Sequence, residues 1–159
     1  TGISSWDTSS VTTMRECFKY NTIFNGNISS WDVSNVTTFQ AMLDRCNAFN
    51  QNIGGWTTSS ATSFREMIKS TDPATSSFDQ NISGWDISGV SNMFNFLYGQ
   101  TLSPANYDAL LIEWDAQSAV SSVAANFGSS TYTGGGTAAA ARANLIASDL
   151  WTITDGGIA

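Results

Sequence analysis

The sequence predicts an α/β fold, a curved solenoid of four strand–helix repeats closed by a C-terminal α/β cap. The first observation behind this prediction is a phrase that occurs four times, in which an isoleucine precedes a tryptophan by three residues and a serine follows that tryptophan by three. Its spacings are 25, 25 and 29 residues. A fixed period of this size with a large apolar residue at one phase is typical of units that stack to bury their apolar faces. The recurring residues are Ile3, Ile28, Ile53 and Ile82; Trp6, Trp31, Trp56 and Trp85; and Ser9, Ser34, Ser59 and Ser88.

The second observation is an apolar pattern that follows each of these serines. Apolar residues recur at offsets of 0, 3, 6 and 7, which define one face of a helix. With the serine as N-cap, helices of about ten to twelve residues are predicted to begin near residues 10, 35, 60 and 89. The stretches before the tryptophans, 24–31, 49–56 and 78–85, are predicted to be short parallel strands. The apolar columns are Val11, Val36, Ala61 and Val90; Met14, Phe39, Phe64 and Met93; Cys17, Met42, Met67 and Phe96; and Phe18, Leu43, Ile68 and Leu97.

The predicted spacing of strands and helices sets the curvature of the stack. Parallel strands lie about 4.8 Å apart and packed helices about 8–10 Å apart, so the strand side should be concave. Alternating charge at Lys19, Asp44 and Lys69 predicts a weak ladder of ion pairs between repeats. Repeat three carries four extra residues within Ser70 to Ser77, which we expect to form a loop. The small residues expected near the concave side are Ser4, Ser5, Ser29, Ser30, Gly54, Gly55, Ser83 and Gly84.

The pattern changes from Gln100 onward. Ser103 followed by Pro104 predicts the start of an amphipathic helix that runs to about Gln117. A second helix is predicted from Thr137 to about Ala147, then a short strand at Trp151 to Ile153. We expect this part to cap the open end of the stack, because terminal repeats need their apolar face shielded. The predicted organisation is one structural domain, with a solenoid at 1–99 (repeats near 3–27, 28–52, 53–81 and 82–99) and a capping unit at 100–159.

The composition excludes several classes of partner. Charged residues make up only 12% of the 159 residues, the net charge is -7, and the six Lys and Arg form no basic run. Nucleic acid and anionic membrane surfaces need clustered cations, so neither is expected as a partner. No apolar run approaches the length of a membrane span, so no membrane insertion is expected. The chain opens on Thr1 rather than methionine and starts almost inside a repeat, and we expect it to be part of a longer protein.

The repeats resemble a known family. The stretches FNGNISSWDVSNVTTF, FNQNIGGWTTSSATSF and FDQNISGWDISGVSNMF are similar to the repeat of roughly 25 residues in BspA-like bacterial surface proteins. The tail, from Tyr107 through Arg142 to Trp151–Gly157, also resembles the segment that follows those repeats. The resemblance implies a leucine-rich-repeat-like solenoid displayed on the bacterial cell surface within a larger adhesin. It supplies no catalytic residue and no agreed ligand, and repeat three departs from it with Thr57 where the other repeats have aspartate.

Catalysis and cofactors are not expected. The sequence has no histidine, which removes Ser-His-Asp catalysis and most zinc chemistry. Gly134 to Gly136 before Thr137 lack the lysine and spacing of a P-loop and predict a flexible link with an N-cap. Three aspartates, Asp7, Asp32 and Asp86, are a weak candidate set for calcium, although one carboxylate per repeat is few for a cation that takes six to eight oxygens. Turn hydrogen bonds are the favoured role for these aspartates.

Two recurring sets are predicted to be structural. The tryptophans Trp6, Trp31, Trp56 and Trp85 lie beside isoleucine and valine, which favours burial over stacking on carbohydrate. The amides Asn27, Asn52 and Asn81 are predicted to form a buried ladder that bonds to neighbouring loops.

The sequence therefore predicts a non-enzymatic extracellular recognition or adhesion module that binds a protein or a carbohydrate on a cell or host surface. A structural spacer within a large adhesin, adjoining further domains of a longer chain, is the alternative. An ice-binding solenoid, suggested by columns of threonine and serine, and a hydrolase using paired carboxylates are less favoured. The ligand site is placed at the loop and the concave face. Its candidate residues are Thr71, Asp72, Pro73, Ser29, Ser30 and Ser83.

The two cysteines are predicted to be free thiols. In the repeat alignment Cys17 lies over Met42, not over Cys46, which puts the two Cα atoms about 10–11 Å apart. A disulfide needs less than about 7 Å. Because Cys17 occupies a core phase, we expect it to be buried and inert until the domain unfolds.

Overall fold

The computed structural model describes residues 2–159. Its helices and strands lie in the C-terminal part, apart from a short 3-10 turn at Ile3–Ser5. The elements in chain order are α1 Pro104–Asp115, β1 Ala124–Asn126, β2 Thr131–Tyr132, α2 Thr137–Ala147, β3 Thr152–Thr154 and β4 Gly157–Ile158. Strand β1 pairs in parallel with β3, and β2 pairs in parallel with β4, which makes two small two-stranded sheets.

The predicted fold class is wrong. Within residues 2–159 there are only two α-helices and four short strands, so the chain is not a leucine-rich-repeat-like solenoid of four strand–helix repeats. The helices predicted to begin near residues 10, 35, 60 and 89 are series of turns. The strands predicted before the tryptophans are also missing from the described residues.

The turns are hydrogen-bonded to the equivalent turns one period away. The N–H of Phe39 donates to the carbonyl of Ser63 at 3.0 Å, and the N–H of Leu43 donates to that of Met67 at 2.8 Å. Single parallel β-bridges connect Thr13 to Thr38, Thr38 to Ser63 and Ser63 to Asn92. Alternate N–H groups are therefore satisfied between repeats, and the ones between them within a single turn, as when Met42 N donates to the Phe39 carbonyl at 3.0 Å.

The reason for the error is a left-handed residue at the same phase of each repeat. Glu16, Ala41, Glu66 and Asn95 have φ of 57°, 52°, 53° and 53°. One such residue is incompatible with a right-handed α-helix, because φ there is close to −63°. In repeats two to four the apolar side chains at offsets of 0, 3, 6 and 7 are still buried, so the same pattern is compatible with a series of turns.

The core is continuous from the repeats into the C-terminal unit. Aromatic rings of successive repeats stack, as in Phe24 on Phe49 at 5.8 Å and Trp56 on Trp85 at 6.2 Å between ring centroids. Such pairs contribute about 0.5–1.5 kcal/mol beyond the burial of their area. The indole Nε1 of Trp85 donates to the carbonyl of Ile53 at 3.0 Å, which fixes the ring against the preceding repeat.

The C-terminal unit follows its predicted helices closely. α1 buries Tyr107, Leu110, Leu111 and Trp114 on one face, as its apolar pattern predicts. α2 spans the predicted Thr137–Ala147, and β3 begins one residue later than predicted. The unit packs on repeat four, where the Gln117 side chain donates to Trp85 O at 2.9 Å and accepts from Ile87 N at 2.8 Å.

The charge ladder expected between repeats is wrong. The ammonium groups of Lys19 and Lys69 bind Glu16 and Glu66 in their own repeats, at 3.2 and 3.0 Å. The side chain of Asp44 is buried, and burial raises its pKa. Each lysine thus forms its ion pair with the glutamate three residues earlier in the same turn, and not with a residue of the neighbouring repeat.

The cysteines are both free, as predicted. Cys17 is exposed, however, so the expectation that it is buried is wrong. Cys46 is buried, its Sγ lies 3.0 Å from the Phe18 carbonyl, and burial raises its pKa to about 12.

Candidate ligand-binding surface

Two separate concave surfaces occur on the described part of the chain. The first, which we call the glycine groove, consists of three contiguous depressions of about 460, 380 and 400 Å³ that share Gly84. It runs over repeats three and four to the end of α1. Its defining residues are Gly54, Gly55, Ser83, Gly84 and Asp86.

The floor of the glycine groove is set by turns around asparagine side chains. Asn52 Oδ1 accepts a hydrogen bond from Gly54 N at 3.0 Å, and Asn81 Oδ1 accepts one from Ser83 N at 2.9 Å. A Cβ on Gly54 would collide with the Asn81 carbonyl, so the close approach of the two repeats requires glycine there.

The glycine groove has no lysine or arginine in its lining. Its carboxylates are already engaged: Asp86 accepts from both the hydroxyl and the N–H of Ser88, which lowers its pKa. Asp79 accepts from Ser103 and Asn106 at the start of α1. The groove therefore presents exposed backbone and small side chains, with no unpaired charge among the residues that line it.

The second concave surface, which we call the tyrosine pocket, has a volume of about 250 Å³. It lies where the insertion of repeat three, the end of repeat four and the C-terminal unit meet. A smaller depression of about 110 Å³ shares Asn126 and Thr154 with it and has Phe94 in its lining. The residues of the tyrosine pocket are Thr71, Pro73, Tyr98, Gly99, Asn126, Gly128, Ser129 and Thr154.

Backbone geometry holds the wall of the tyrosine pocket in place. The buried hydroxyl of Ser70 lies 3.1 Å from Asp72 N and 3.2 Å from Asn47 Oδ1, which ties the insertion to repeat two. Gly99 has φ of 75°, and a Cβ there would collide with the Ser70 carbonyl. Glycine is the residue that satisfies both constraints without strain.

The tyrosine pocket combines an exposed ring with unused polar groups. The Tyr98 side chain is 46% exposed. Asn126 Oδ1 accepts from Gly128 N at 2.8 Å, while Asn126 Nδ2 and the Tyr98 hydroxyl make no hydrogen bond to any residue in the 2–159 range. None of the eight lining residues is charged. The pocket can therefore offer ring stacking together with hydrogen bonds to a neutral ligand.

The predicted ligand residues are divided between these surfaces. Thr71 and Pro73 line the tyrosine pocket, and the carboxylate of Asp72 beside them accepts from Ala74 N and Thr75 Oγ1. Ser83 lines the glycine groove.

The serines predicted in repeat two lie elsewhere. Ser29 and Ser30 are exposed and line neither surface; their hydroxyls bind Asn27 Oδ1 and the Ser4 carbonyl. The structure thus does not bring the six predicted residues together.

The predicted asparagine ladder is wrong, and a different one exists two residues earlier. Asn27, Asn52 and Asn81 are exposed and bond within their own turns. A ladder between repeats is formed instead by Asn25, whose Oδ1 accepts from Asn50 N at 3.0 Å, and by Asn50, whose Oδ1 accepts from Asp79 N at 3.0 Å. The sequence signal for this ladder is the Asn or Asp that follows a phenylalanine in each of these repeats, at Asn25, Asn50 and Asp79.

The recurring tryptophans and aspartates differ in their surroundings. Trp31, Trp56 and Trp85 are at most 4% exposed, whereas Trp6 is 58% exposed. Asp7, Asp32 and Asp86 each accept from the serine two residues later, and these bonds lower the pKa of all three carboxyls. In residues 2–159 no group of three or more His, Cys, Asp or Glu side chains is arranged to hold a metal ion.

A buried polar cluster of the C-terminal unit lines neither surface. Asp155 accepts from Arg142 Nε at 2.7 Å and from the Tyr107 hydroxyl at 2.7 Å. Burial alone would raise the pKa of Asp155, but these hydrogen bonds hold it below its usual value. None of the described helices is both long and apolar enough to cross a membrane.

One family model matches this chain. It is described as a Mycoplasma protein of unknown function, DUF285, and it matches residues 1–110 of 159. The family is associated with BspA-like surface proteins and is not an enzyme family, and the match gives no support for a leucine-rich repeat. No curated protein and no solved structure matches the chain significantly.

Proposed function

This chain belongs to the DUF285 family of surface-associated proteins of unknown function, and on that premise we propose that it is a non-enzymatic recognition or adhesion module of a larger bacterial surface protein. The module is displayed outside the cell and binds a protein or a glycan. Its ligand site is the tyrosine pocket.

The observation that carries this proposal is the composition of the tyrosine pocket. An exposed tyrosine ring next to unpaired amide and hydroxyl groups is the combination by which proteins hold neutral ligands, with the ring supplying contact area and the polar groups supplying orientation. Tyrosine is also among the residues that contribute most to binding energy in protein interfaces. The pocket is bounded by the insertion that interrupts the repeat, so it is a local feature and not a property of every unit.

A structural spacer is the second candidate, and the ladder of Asn25, Asn50 and Asp79 supports it. This ladder connects three repeats and ends on Ser103 and Asn106 at the start of α1. A continuous connection of this kind would restrict the movement of one repeat against the next. Stiffness and binding are compatible, because sites on rigid elements keep their geometry.

The test is a glycan and peptide array probed with residues 1–159 and with two variants. Tyr98→Ala removes the exposed ring of the pocket, and Tyr20→Ala removes an exposed ring from repeat one as the control. We expect the chain to bind a limited set of neutral ligands, Tyr98→Ala to weaken binding by roughly 1–3 kcal/mol, and Tyr20→Ala to leave it unchanged.

Two outcomes would contradict the proposal. Equal weakening by both tyrosine variants would place the site outside the tyrosine pocket. Complete absence of array binding, with adhesion of the parent protein unaffected by deletion of the domain, would favour the spacer.

A further inference from the structure

Five of the six Lys and Arg side chains lie on one face of repeats one to three, which we call the arginine face. Backbone hydrogen bonds hold its equivalent positions side by side, as when Ala41 N donates to Arg65 O at 2.8 Å and Glu66 N to Phe94 O at 2.9 Å. Only three of the thirteen Asp and Glu side chains belong to it, so the rest of the molecule carries most of the negative charge. The arginine face consists of Arg15, Glu16, Lys19, Asp44, Arg45, Arg65, Glu66 and Lys69, with the exposed rings of Tyr20 and Phe94.

The three arginines of this face have unused hydrogen-bond donors. The ammonium groups of Lys19 and Lys69 are hydrogen-bonded to glutamates, at 3.2 and 3.0 Å. The guanidinium groups of Arg15, Arg45 and Arg65, in contrast, donate no hydrogen bond within residues 2–159. Each lies 3.8 to 3.9 Å from the carboxylate of the residue next to it in sequence, which is beyond hydrogen-bond distance. These guanidinium groups are therefore available to an external acceptor.

Aromatic rings support two of these guanidinium groups. The Cζ atom of Arg45 lies 4.9 Å from the ring centroid of Tyr20, and that of Arg65 lies 4.9 Å from the ring centroid of Phe94. A guanidinium group stacked on a ring keeps its N–H edge free for a carboxylate or a sulfate. The side chains of Arg45 and Arg65 are 42% and 39% exposed, although a repeat lies on each side of both. Their exposure is thus a property of the interior of the array.

The spacing of the arginines fits a linear acidic polysaccharide. Arg15 and Arg65 occupy the same position two repeats apart, which at about 4.8 Å for each parallel pairing separates their Cα atoms by about 10 Å. This distance is comparable to the length of a disaccharide, so a polymer with one anion per disaccharide can reach both. The rings of Tyr20 and Phe94 offer apolar faces on which sugars can stack.

Nucleic acid does not fit the arginine face. Double-stranded DNA carries one negative charge per about 1.7 Å of its axis, a density that three unpaired arginines do not match. The carboxylates on the rest of the molecule would also repel so dense a polyanion, because the net charge of the chain is -7.

We propose that the arginine face binds a linear acidic polysaccharide whose carboxylate or sulfate groups pair with the free guanidinium groups. This surface is distinct from the tyrosine pocket, because none of the three arginines lines that pocket. It also takes a charged ligand, whereas the function proposed above assigns neutral ligands to the tyrosine pocket. The two proposals can therefore fail independently.

The first test measures binding of residues 1–159 to immobilised chondroitin sulfate, to unsulfated chondroitin and to carboxyl-reduced chondroitin, which is neutral. We expect the two anionic forms to bind, with an affinity that falls as salt is added, and the neutral form not to bind. Stronger binding of the sulfated form would support the proposal and identify sulfate as the better partner. Equal binding of chondroitin and its reduced form would overturn the proposal. Equally tight binding of polyglutamate would also overturn it, because the face would then recognise acidic polypeptides.

The second test uses variants of the arginine face. Arg65→Gln should weaken binding to chondroitin roughly three- to tenfold, and Arg65→Lys should weaken it less, because lysine keeps the charge but loses the planar fork. Thr57→Asp is the matched control: it lowers the net charge by the same single unit, in the same repeat, at an exposed position where the other repeats carry aspartate. It should leave binding nearly unchanged. Equal weakening by Arg65→Gln and Thr57→Asp, at unchanged melting temperature, would show that only net charge matters and would overturn the proposal.

Discussion

Residues 100–159 satisfy many backbone hydrogen bonds within single helices, whereas residues 13–99 combine bonds within single turns with bonds between turns one period apart. In α1 the N–H of Tyr107 donates to the Ser103 carbonyl four residues back, at 2.9 Å. In the repeats the N–H of Ala41 donates to Arg65, 24 residues ahead, at 2.8 Å. A helix of the C-terminal unit can thus form from local sequence, while a repeat completes its hydrogen bonds only when its neighbour is in place. The stability of the repeats is therefore a property of the interfaces between them.

The largest expected effect is from Phe64→Ala, which removes a ring of repeat three that packs against aromatic rings of repeats two and four. Phe64 is fully buried and lies within 5.1 to 5.7 Å of Phe39, Trp85 and Phe96, measured between ring centroids. The free energy of unfolding should fall by about 3–5 kcal/mol. Urea denaturation, monitored by circular dichroism, measures this free energy. Because the core is continuous, the helices of the C-terminal unit should unfold in the same transition; a separate helical transition would show that the two regions are independent.

An intermediate effect is expected from Asp155→Asn in the C-terminal unit. The asparagine oxygen can still accept from Arg142 Nε and Tyr107, but its Nδ2 would face the Arg142 Nη2 and Gly157 N donors that now bond to Asp155 Oδ1. We expect a loss of about 1–3 kcal/mol at neutral pH. The pKa of Asp155 is lower in the folded protein than in the unfolded chain, so its contribution is present above the unfolded pKa and is lost as the pH falls through the folded pKa.

Thermal melts from neutral to strongly acidic pH measure this difference. The stability gap between the parent chain and Asp155→Asn should close as the carboxyl group is protonated. A gap that stays constant in acid would show that the carboxylate charge is not what stabilises the cluster.

Two smaller effects on stability, of opposite sign, are expected when glycine is introduced into a turn of the repeats and into helix α2. Glu16→Gly replaces a residue at φ of 57° and should raise stability by up to about 1 kcal/mol, less the small contribution of its surface ion pair with Lys19. Ala140→Gly, at an exposed position of α2, should lower stability by about 1 kcal/mol. Chemical denaturation of both variants under one set of conditions gives the comparison. Destabilisation of similar size by both glycines would mean that residue 16 lies in a helix.

The smallest expected effect is that of calcium removal. The carboxylates of Asp7, Asp32 and Asp86 are each bonded to the serine two residues later, and a cation is not needed to neutralise a cluster at these positions. Melting temperature and array binding should be the same in a calcium buffer and in a chelator. A drop in either on chelation would support the calcium site.

Some of this structure follows from local sequence. Ser103 with Pro104 marks the start of α1. Both ends of α2, Thr137–Ala147, were predicted correctly, because the signals that define a helix lie within the helix and next to its ends. In the repeats, the left-handed positions are occupied by Glu16, Ala41 and Glu66, residue types with no preference for that conformation, so the sequence carries no mark of the turns. Only their pairing with the next repeat makes the strained conformation favourable.

The candidate site could be predicted only in part. The insertion put Thr71 and Pro73 among the candidate ligand residues, because an interruption of the period is visible in the sequence, and both line the tyrosine pocket. Tyr98, Asn126 and Thr154 come from three segments that meet through tertiary packing, and no spacing connects them. The asparagine ladder was missed for a related reason: two amide columns recur side by side, and the turn geometry decides which one reaches the next repeat.

The asparagine ladder also bears on the chemical degradation of this protein by deamidation. Asn25 is followed by Gly26, the pair of residues at which side-chain amides hydrolyse most readily through a succinimide. In the ladder Asn25 uses only its Oδ1, as an acceptor for Asn50 N and Gln51 Nε2. Hydrolysis to aspartate keeps that oxygen, and Asp79, at the same phase in repeat three, already serves as an acceptor for Ser103 and Asn106. The position most open to deamidation is therefore one where the aspartate product preserves the contact between repeats, whereas isoaspartate, with its longer backbone, would displace it.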